Sequence, residues 1–218
     1  MYVPPWFAET RPEALRSVLD RHPLGALVTH GPDGLDANHI PFEFDPAFGT
    51  AGRLTGHVAR ANPVWAQAGG YSAAAREVLV VFQGPEAYVS PNWYPSKHET
   101  HRQVPTWNYQ VVHVHGTLVF HDDEKFVRGV VARLTRTHEG RASSGKPWRM
   151  TDSAPDFIDG MLEHIVGIEI VVSKMVGKFK LSQNREARDR QGAAQALVER
   201  DAPVGHAMRA ADADRTDT

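Results

Sequence analysis

The longest β-strand pattern in the chain covers residues 107–120. Alternate residues of a strand point to opposite faces, so this segment presents two chemically different sides. The apolar side is expected to face a core and consists of Val112, Val114, Leu118 and Phe120. The other side mixes polar, aromatic and apolar residues: Tyr109, Val111, His113, His115 and Thr117. The pattern therefore favours a sheet with one face against a core.

Shorter strand patterns lie on both sides of this segment, and helical patterns interrupt them irregularly. Strands are predicted at 24–29, 35–44, 54–58, 78–82, 87–89, 166–172 and 175–181. Helices are predicted at 11–21, 63 to about 68, 123–139, 153–164 and 186–199. Because regular βαβα alternation is missing, a doubly wound parallel sheet is not expected. The prediction is an α+β fold, mainly β, in which mostly antiparallel strands close on themselves and a few helices flank them.

The chain is predicted to form one domain followed by a short tail. The domain covers residues 1–200 and ends in a polar helix. Inside it, residues 92–106 are expected to form a long irregular loop, whose aromatic content argues against disorder. Residues 201–218 are rich in Ala, Asp and Arg and lack periodicity, so they are predicted to be a disordered tail.

Composition excludes several classes of function. The formal net charge of −2 gives no support for nucleic-acid binding. The absence of cysteine excludes disulfides, iron–sulfur clusters and cysteine-ligated zinc, and it fits a cytoplasmic protein. The first six residues do not have the pattern of a signal peptide, and no apolar stretch approaches membrane-spanning length. A cytoplasmic protein without a membrane partner is therefore expected.

Residues 56–63, with the sequence Gly-His-Val-Ala-Arg-Ala-Asn-Pro, follow a strand pattern and open a short helix. Asn62 is a favoured N-cap and Pro63 a favoured first helical residue. A helix N-terminus suits an anion, and the guanidinium of Arg60 adds donors that match a phosphate. The segment is therefore a candidate phosphate site at the end of a strand. A plain strand-to-helix turn with a solvated arginine is the alternative.

Amide and aromatic side chains elsewhere in the chain suit a planar ligand. They are Asn38, His39, Trp93, Trp107, Asn108, Tyr109 and Gln183. Lys178 and Lys180 share one strand parity and would present cations to the same ligand. The alternative for the two lysines is a solvated strand face. Together with the phosphate site, these residues indicate a pocket for a planar, phosphorylated molecule.

Other chemistry has less support. His113 and His115 place two imidazoles on one strand face, with His39 or His57 as a conceivable third metal ligand, but a polar pocket or a subunit interface is the alternative. No HExxH, GxSxG, GxGxxG or P-loop motif is present, and no metal site is predicted. The predicted helices at 123–139 and 156–164 do not form a helix-turn-helix, because a long loop separates them and the second is acidic.

Ten short motifs, taken in order, resemble one known family. They lie at 23–24, 38–41, 56–63, 82–85, 88–94, 105–109, 113–116, 134–135, 166–169 and 180–185. In this order they resemble the PaiB-type family of FMN-binding negative transcriptional regulators. The resemblance covers about residues 1–200.

The resemblance implies a flavin split β-barrel of the pyridoxamine-phosphate-oxidase-like class, assembled as a homodimer with FMN at the subunit interface. It implies phosphate-side roles for Arg60, His57 and Asn62. Asn38 and His39 would lie beside the flavin ring, and Trp107 belongs to the same predicted pocket. Lys180, Gln183 and Asn184 would reach the site from either subunit.

Three functions follow as hypotheses from different classes. The first is an FMN-binding oxidoreductase or flavin-dependent sensor, in which transcriptional regulation acts through a redox or metabolite reaction. The second is a DNA-binding repressor without catalysis, although neither charge nor motif supports DNA as a partner. The third is haem binding or haem breakdown, motivated by the pair His113 and His115 and by His98 and His101.

Overall fold

The computed structural model of the protein describes residues 1–67, 76–142 and 145–216. The strands are β1 (Ala8–Glu9), β2 (Leu24–Gly31), β3 (Gly34–Pro41), β4 (Glu43–Asp45), β5 (Arg53–Ala59), β6 (Arg76–Val89), β7 (Thr106–His121) and β8 (Ile165–Lys180). The helices are α1 (Pro12–Arg21), α2 (Pro63–Gln67), α3 (Pro95–Thr100), α4 (Glu124–Ala142), α5 (Pro155–Glu163), α6 (Ala187–Val198) and α7 (Pro203–Thr216). The end predicted for α2 at residue 68 lies outside the described residues.

The described strands form one sheet in the order β3-β2-β6-β7-β8-β5-β4, with β1 paired to β8. The hairpin of β2 and β3 and the pairs β2–β6, β4–β5 and β5–β8 are antiparallel. In the β5–β8 pair, Gly56 lies opposite Ile168 and His57 lies opposite Gly167. The predicted antiparallel sheet is therefore confirmed.

The chain divides into two compact units, each built from separate segments. The first unit consists of Met1–Val18, Gln83–Val112 and Val176–Thr218. The second unit consists of Leu19–Phe82 and His113–Met175. The single domain predicted over residues 1–200 stays a prediction. Within the described part of the chain, no helix combines the length and the apolar character needed to span a membrane.

Each unit has an apolar core whose members follow the strand and helix patterns. In the second unit, Leu27, Leu54, Val80, Val114, Ile168 and Ile170 are fully buried. In the first unit, the buried residues include Val89, Tyr94, Val112, Leu197, Val204 and Met208. Val112, Val114 and Leu118 on β7 are buried as predicted. Val111 has the opposite parity and is also buried, so both faces of β7 are covered at that position.

Three local predictions need correction. The strands predicted at 78–82 and 87–89 are one strand, β6, which continues through Pro85. Proline is tolerated in a strand where no ladder hydrogen bond needs its N–H, and the buried positions of β6 change from even to odd numbers after Gly84. The strand patterns predicted at 166–172 and 175–181, with a kink between them, likewise belong to one strand, β8, which ends at Lys180. The loop predicted at 92–106 contains a 3₁₀ turn at Pro91–Trp93 and the short helix α3.

The prediction of a disordered tail over residues 201–218 is wrong for residues 203–216, which form α7. Pro203 stands at the start of the helix, where its missing N–H costs nothing. Val204 and Met208, one helical turn apart, are both buried. Gly205 lies so close to α6 that an added Cβ would stand 2.8 Å from the Val198 nitrogen. Two apolar residues produce too weak a periodicity to be recognised in the sequence.

Candidate functional site

Arg60 follows β5 directly and is held by other parts of the second unit. Its Nη1 donates to Asp122 Oδ2 at 2.9 Å, and its Nη2 donates to Asp122 Oδ1. Its Nε donates to the Glu163 carbonyl at 2.7 Å. The hydrogen bond from Arg60 lowers the pKa of Asp122 and raises the pKa of Arg60. Arg60 therefore ties the end of β5 to the segments before α4 and β8, and its contact with a phosphate stays a prediction.

Asn62 caps α2 and links it to β3. Its Oδ1 accepts a hydrogen bond from the Val64 N–H at 2.9 Å, as expected of an N-cap. Its Nδ2 donates to Asn38 Oδ1 at 2.8 Å, and Asn38 Nδ2 donates to Asp36 Oδ2 at 3.2 Å. The structure thus brings the predicted residues Asn38 and Asn62 together. Because the Val64 N–H already donates to Asn62, one fewer N–H at the start of α2 remains for an anion.

His57 and His39 differ in their surroundings. His57 lies on β5 and is half-buried, and burial lowers its pKa. Its Nδ1 is buried and has no hydrogen-bond partner among the described residues. His39 lies on β3 opposite Ala26 and is exposed. His57 therefore carries a neutral imidazole with an unused nitrogen at neutral pH, a feature that suits a ligand contact.

Three cations gather at the end of β8 in the first unit. Burial lowers the pKa of Lys180, and the nearby charges of Lys178 and Arg185 lower it further. Lys180 Nζ donates to Thr106 Oγ1 and to the Trp107 carbonyl. Among the described residues, no carboxylate forms an ion pair with any of the three cations. This stretch therefore carries positive charge that no carboxylate of the described residues neutralises through an ion pair.

Aromatic rings lie beside these cations. The Trp107 side chain is 54% exposed and packs edge-to-face on Tyr88, with ring centroids 6.2 Å apart. Lys178 Nζ lies 5.5 Å from the ring centroid of Tyr109 and 5.8 Å from that of Tyr2. We call Lys178, Lys180, Arg185, Trp107 and Tyr109 the cation–aromatic cluster. Positive charge next to exposed rings suits a ligand that is both anionic and aromatic.

A strained turn supports this cluster. Ser182 has φ of 66° and is 3% exposed, an uncommon conformation for a residue with a side chain. Its Oγ accepts from Asn108 Nδ2 at 2.9 Å, and the same amide contacts Met208 Sδ at 3.2 Å. Asn108 was predicted to contact a ligand. It is fully buried, and its amide makes a structural contact instead. Sequence reasoning did not predict a positive φ at Ser182, because serine gives no signal for it.

Gln183 and Asn184 follow this turn and differ in their availability. Gln183 accepts from the Leu181 N–H at 2.7 Å and donates to the Phe179 carbonyl at 2.5 Å, so its amide contacts the local backbone. Asn184 is exposed. Asn184 thus has the more accessible side chain of the two predicted contacts.

The histidine pair on β7 lies in the second unit. The rings of His113 and His115 are tilted, with centroids 6.5 Å apart, and burial lowers the pKa of both. No group of three or more histidine, aspartate or glutamate side chains among the described residues has a geometry for holding a metal ion. The third ligands considered from sequence, His39 and His57, do not complete such a group.

The predicted site residues thus form two groups. Asn38, His39, His57, Arg60 and Asn62 belong to the second unit, and Trp107, Lys180, Gln183 and Asn184 belong to the first. Within the second group, Lys180 contacts the backbone of Trp107. Arg185 was not predicted, although its place five residues after Lys180 and its charge were visible in the sequence.

Comparison with solved structures identifies the fold. The FAD- and haem-binding protein from Mycobacterium smegmatis superposes with a TM-score of 0.55 at 16% identity, covering 84% of this chain and 78% of that chain. The flavocytochrome Anf3 from Azotobacter vinelandii gives a TM-score of 0.52 at 11% identity, covering 80% and 69%. At these identities the likeness concerns the fold alone, and the predicted split-barrel class is confirmed.

Sequence comparison identifies the family. The chain is 30% identical over 208 residues to "Protease synthase and sporulation protein PAI 2" of Bacillus subtilis strain 168, covering 95% of this chain and 94% of that protein. The resemblance to the PaiB-type family is therefore confirmed. Residues 1–174 match the family described as "Putative FMN-binding domain". This chain belongs to that family.

Proposed function

We propose that this protein binds flavin mononucleotide and that its cation–aromatic cluster supplies part of the binding site. FMN combines a phosphate dianion with a planar aromatic ring. The observation that carries the proposal is the group of Lys178, Lys180 and Arg185, which has no carboxylate partner among the described residues and lies beside exposed Trp107. Family membership supports the same ligand.

The donors of the cluster fit a phosphate. Lys180 is partly buried, and two neighbouring cations oppose its charge, so an anion bound there would remove an unfavourable interaction. Lysine and arginine both bind phosphate, arginine through paired donors. Lys178, Lys180 and Arg185 would therefore hold the phosphate, and the Trp107 ring would contact the flavin.

The residues of the second unit fit a supporting role. Arg60 already donates to Asp122 and to a backbone carbonyl, and Asn62 already caps α2. His57 retains an unused nitrogen, and His39 is exposed. We keep Asn38, His39, His57, Arg60, Asn62, Gln183 and Asn184 as proposed contacts, and we expect Arg60 to contribute less to affinity than Lys180.

Bound FMN would supply one- and two-electron redox chemistry, while the chain provides binding and electrostatics. The proposed activity is accordingly that of a flavin-dependent oxidoreductase or sensor. A regulatory effect on transcription would then follow from the redox state or from the product. Direct DNA binding has less support, because α5 carries Asp156, Asp159 and Glu163.

The proposal also includes a cytoplasmic homodimer. In the first unit, Tyr2, Trp6, Tyr88 and Trp107 all expose large aromatic surface. Exposed apolar patches often mark interaction sites, and a second copy of the chain is the partner that the family resemblance implies. Light scattering after size-exclusion chromatography is expected to give twice the mass of 24.1 kDa. A single-chain mass at micromolar concentration would contradict this part.

FMN and riboflavin titrations test the cofactor proposal, because the two flavins differ only in the phosphate. The full chain is expected to quench FMN fluorescence saturably and to bind riboflavin more weakly. Lys180→Met should weaken FMN binding by roughly 10- to 100-fold and leave riboflavin affinity nearly unchanged. Lys125→Met, at an exposed position of α4, is the matched control. Equal FMN affinity in the Lys180 and Lys125 variants would contradict the proposed phosphate contact.

Haem is the second candidate ligand. Burial keeps His113 and His115 neutral at neutral pH, which is the state in which imidazole binds iron. A titration of the full chain with haemin should then produce a shifted, saturable Soret band that is lost in the His113→Ala/His115→Ala variant. An unchanged haemin spectrum would remove this candidate.

A further inference from the structure

The second unit contains a cleft whose lining includes none of the site residues predicted from the sequence. It has a volume of about 560 Å³, which lies within the range of small-molecule sites. One wall is the face of α4 formed by Ala132, Thr135, Arg136 and Gly140. The other wall is the segment 147–151, which leads into a 3₁₀ turn at Met150–Asp152. We call this space the α4 cleft.

The second wall is held in place by hydrogen bonds. The Trp148 N–H donates to Glu139 Oε2 on α4 at 2.9 Å. The Arg149 N–H donates to Asp152 Oδ2 at 3.0 Å, and the Asp152 N–H donates to the Arg149 carbonyl at 2.9 Å. Because these contacts fix the backbone beside the helix, the cleft is built into the fold of this unit.

Glycine keeps part of the α4 cleft open. A Cβ added at Gly140 would meet no atom of the described residues within 4 Å, so a larger side chain there would extend into space that these residues leave free. Gly140 is exposed at a lining position, so the cleft is open beside it.

The lining combines apolar surface with two cations. Pro147, Trp148 and Met150 supply apolar contacts, and Trp148 remains 41% exposed. Arg136 and Arg149 also line the cleft, and within the described ranges neither guanidinium forms an ion pair with a carboxylate. Arginine matches carboxylates through paired, charge-assisted hydrogen bonds.

We propose that the α4 cleft binds a carboxylic acid with an apolar body. The carboxylate would pair with Arg136 and Arg149, and the body would lie against Trp148, Met150 and Pro147. The ligand neutralises two cations and covers an exposed tryptophan. This site consists of residues different from those of the proposed flavin site, so the two proposals stand independently.

Calorimetric titration of the full chain with decanoate and with 2-naphthoate tests this site, and the two acids separate an aliphatic from an aromatic body. Saturable one-to-one binding of either acid is expected, and decanol should bind more weakly because it lacks the charge. Arg136→Gln and Arg149→Gln should each weaken the affinity for the acid by about tenfold or more. Arg128→Gln, on the same helix but outside the cleft, should bind as the wild type does.

Gly140→Leu provides a test that does not remove a charge. Leucine favours helix and would occupy the free volume, so the variant is expected to fold and to lose acid binding. Circular dichroism melting confirms that each variant is folded. Absence of saturable binding for both acids, or unchanged binding in folded Gly140→Leu, would overturn the proposal.

Discussion

Lys180 shows how a single side chain connects fold and function. Its stem is partly buried at the end of β8, and its ammonium contacts Thr106 and the Trp107 carbonyl. Burial and two neighbouring cations lower its pKa, so its surroundings disfavour the charged form. Perturbed charges of this kind cluster at functional sites, although structural networks also produce them. We infer that Lys180 is positioned for an anion, which no carboxylate of the described residues supplies.

The pair of Arg60 and Asp122 predicts a pH dependence of stability. The pKa of Asp122 is lowered from 3.8, chiefly by its hydrogen bond with Arg60. A carboxyl with a lowered native pKa stabilises the fold above its unfolded pKa, and this contribution disappears as the pH falls through the native value. We expect Asp122→Asn to reduce the free energy of unfolding by about 1 kcal/mol at pH 7 and by less at pH 3.

Urea unfolding of wild type and Asp122→Asn between pH 3 and pH 7 measures this difference. Asp159→Asn is the control, because Asp159 forms an exposed ion pair with Arg128. A difference between wild type and Asp122→Asn that stays constant across this range would show that the pair does not act through the Asp122 charge.

The strained turn at Ser182 yields a second prediction. Ser182→Ala removes the hydroxyl that Asn108 contacts at 2.9 Å and leaves a buried amide without that partner. The expected loss is about 1–2 kcal/mol in the free energy of unfolding. Ser173→Ala, which removes an exposed hydroxyl 3.2 Å from the His115 carbonyl, should change stability by less than about 0.5 kcal/mol. Equal effects of the two substitutions in denaturant unfolding would refute the structural role of Ser182.

At the scale of secondary-structure elements, α7 shows why residues 203–216 are ordered and not a disordered tail. Val204 is 0% and Met208 is 2% exposed, and Met208 Sδ contacts the Asn108 amide. The helix therefore contributes apolar side chains and a polar contact to the core of the first unit.

Truncation measures this contribution. Ending the chain after Ala202 removes both buried residues and should lower the free energy of unfolding by about 3 kcal/mol or more. Ending it after Ala213 keeps Val204, Met208 and the ion pair of Arg190 with Asp212, so it should be nearly neutral. Similar melting temperatures for the two truncated chains would show that the buried side chains of α7 do not contribute to stability.

Periodicity predicted the positions of elements in which apolar residues repeat, as in β7 and α4. The predictions were wrong where few apolar residues mark an element, as in α7, or where proline suggested a break, as in β6. Candidate site residues could be chosen by type, but their partners could not. Asp122 lies 62 positions from Arg60, and Asn38 lies 24 positions from Asn62, so only the folded chain shows these contacts.

At the scale of the whole molecule, the comparisons identify both the fold and the family. The sheet order, the antiparallel pairing and the likeness to flavin- and haem-binding structures give the split-barrel class. The family matches residues 1–174, whereas Lys178, Lys180 and Arg185 lie beyond that match. The assignment of these cations to the phosphate therefore rests on the geometry of the cluster and not on the family match.

The measurement that tests this account most directly is the visible absorption spectrum of the full chain after incubation with FMN and removal of unbound flavin. Wild type, Lys180→Met and Lys125→Met are compared side by side. The account predicts that wild type and Lys125→Met retain stoichiometric flavin absorption, and that Lys180→Met loses most of it while remaining folded. A colourless wild-type protein, or full retention by Lys180→Met, would contradict the claim that this cation cluster binds the FMN phosphate.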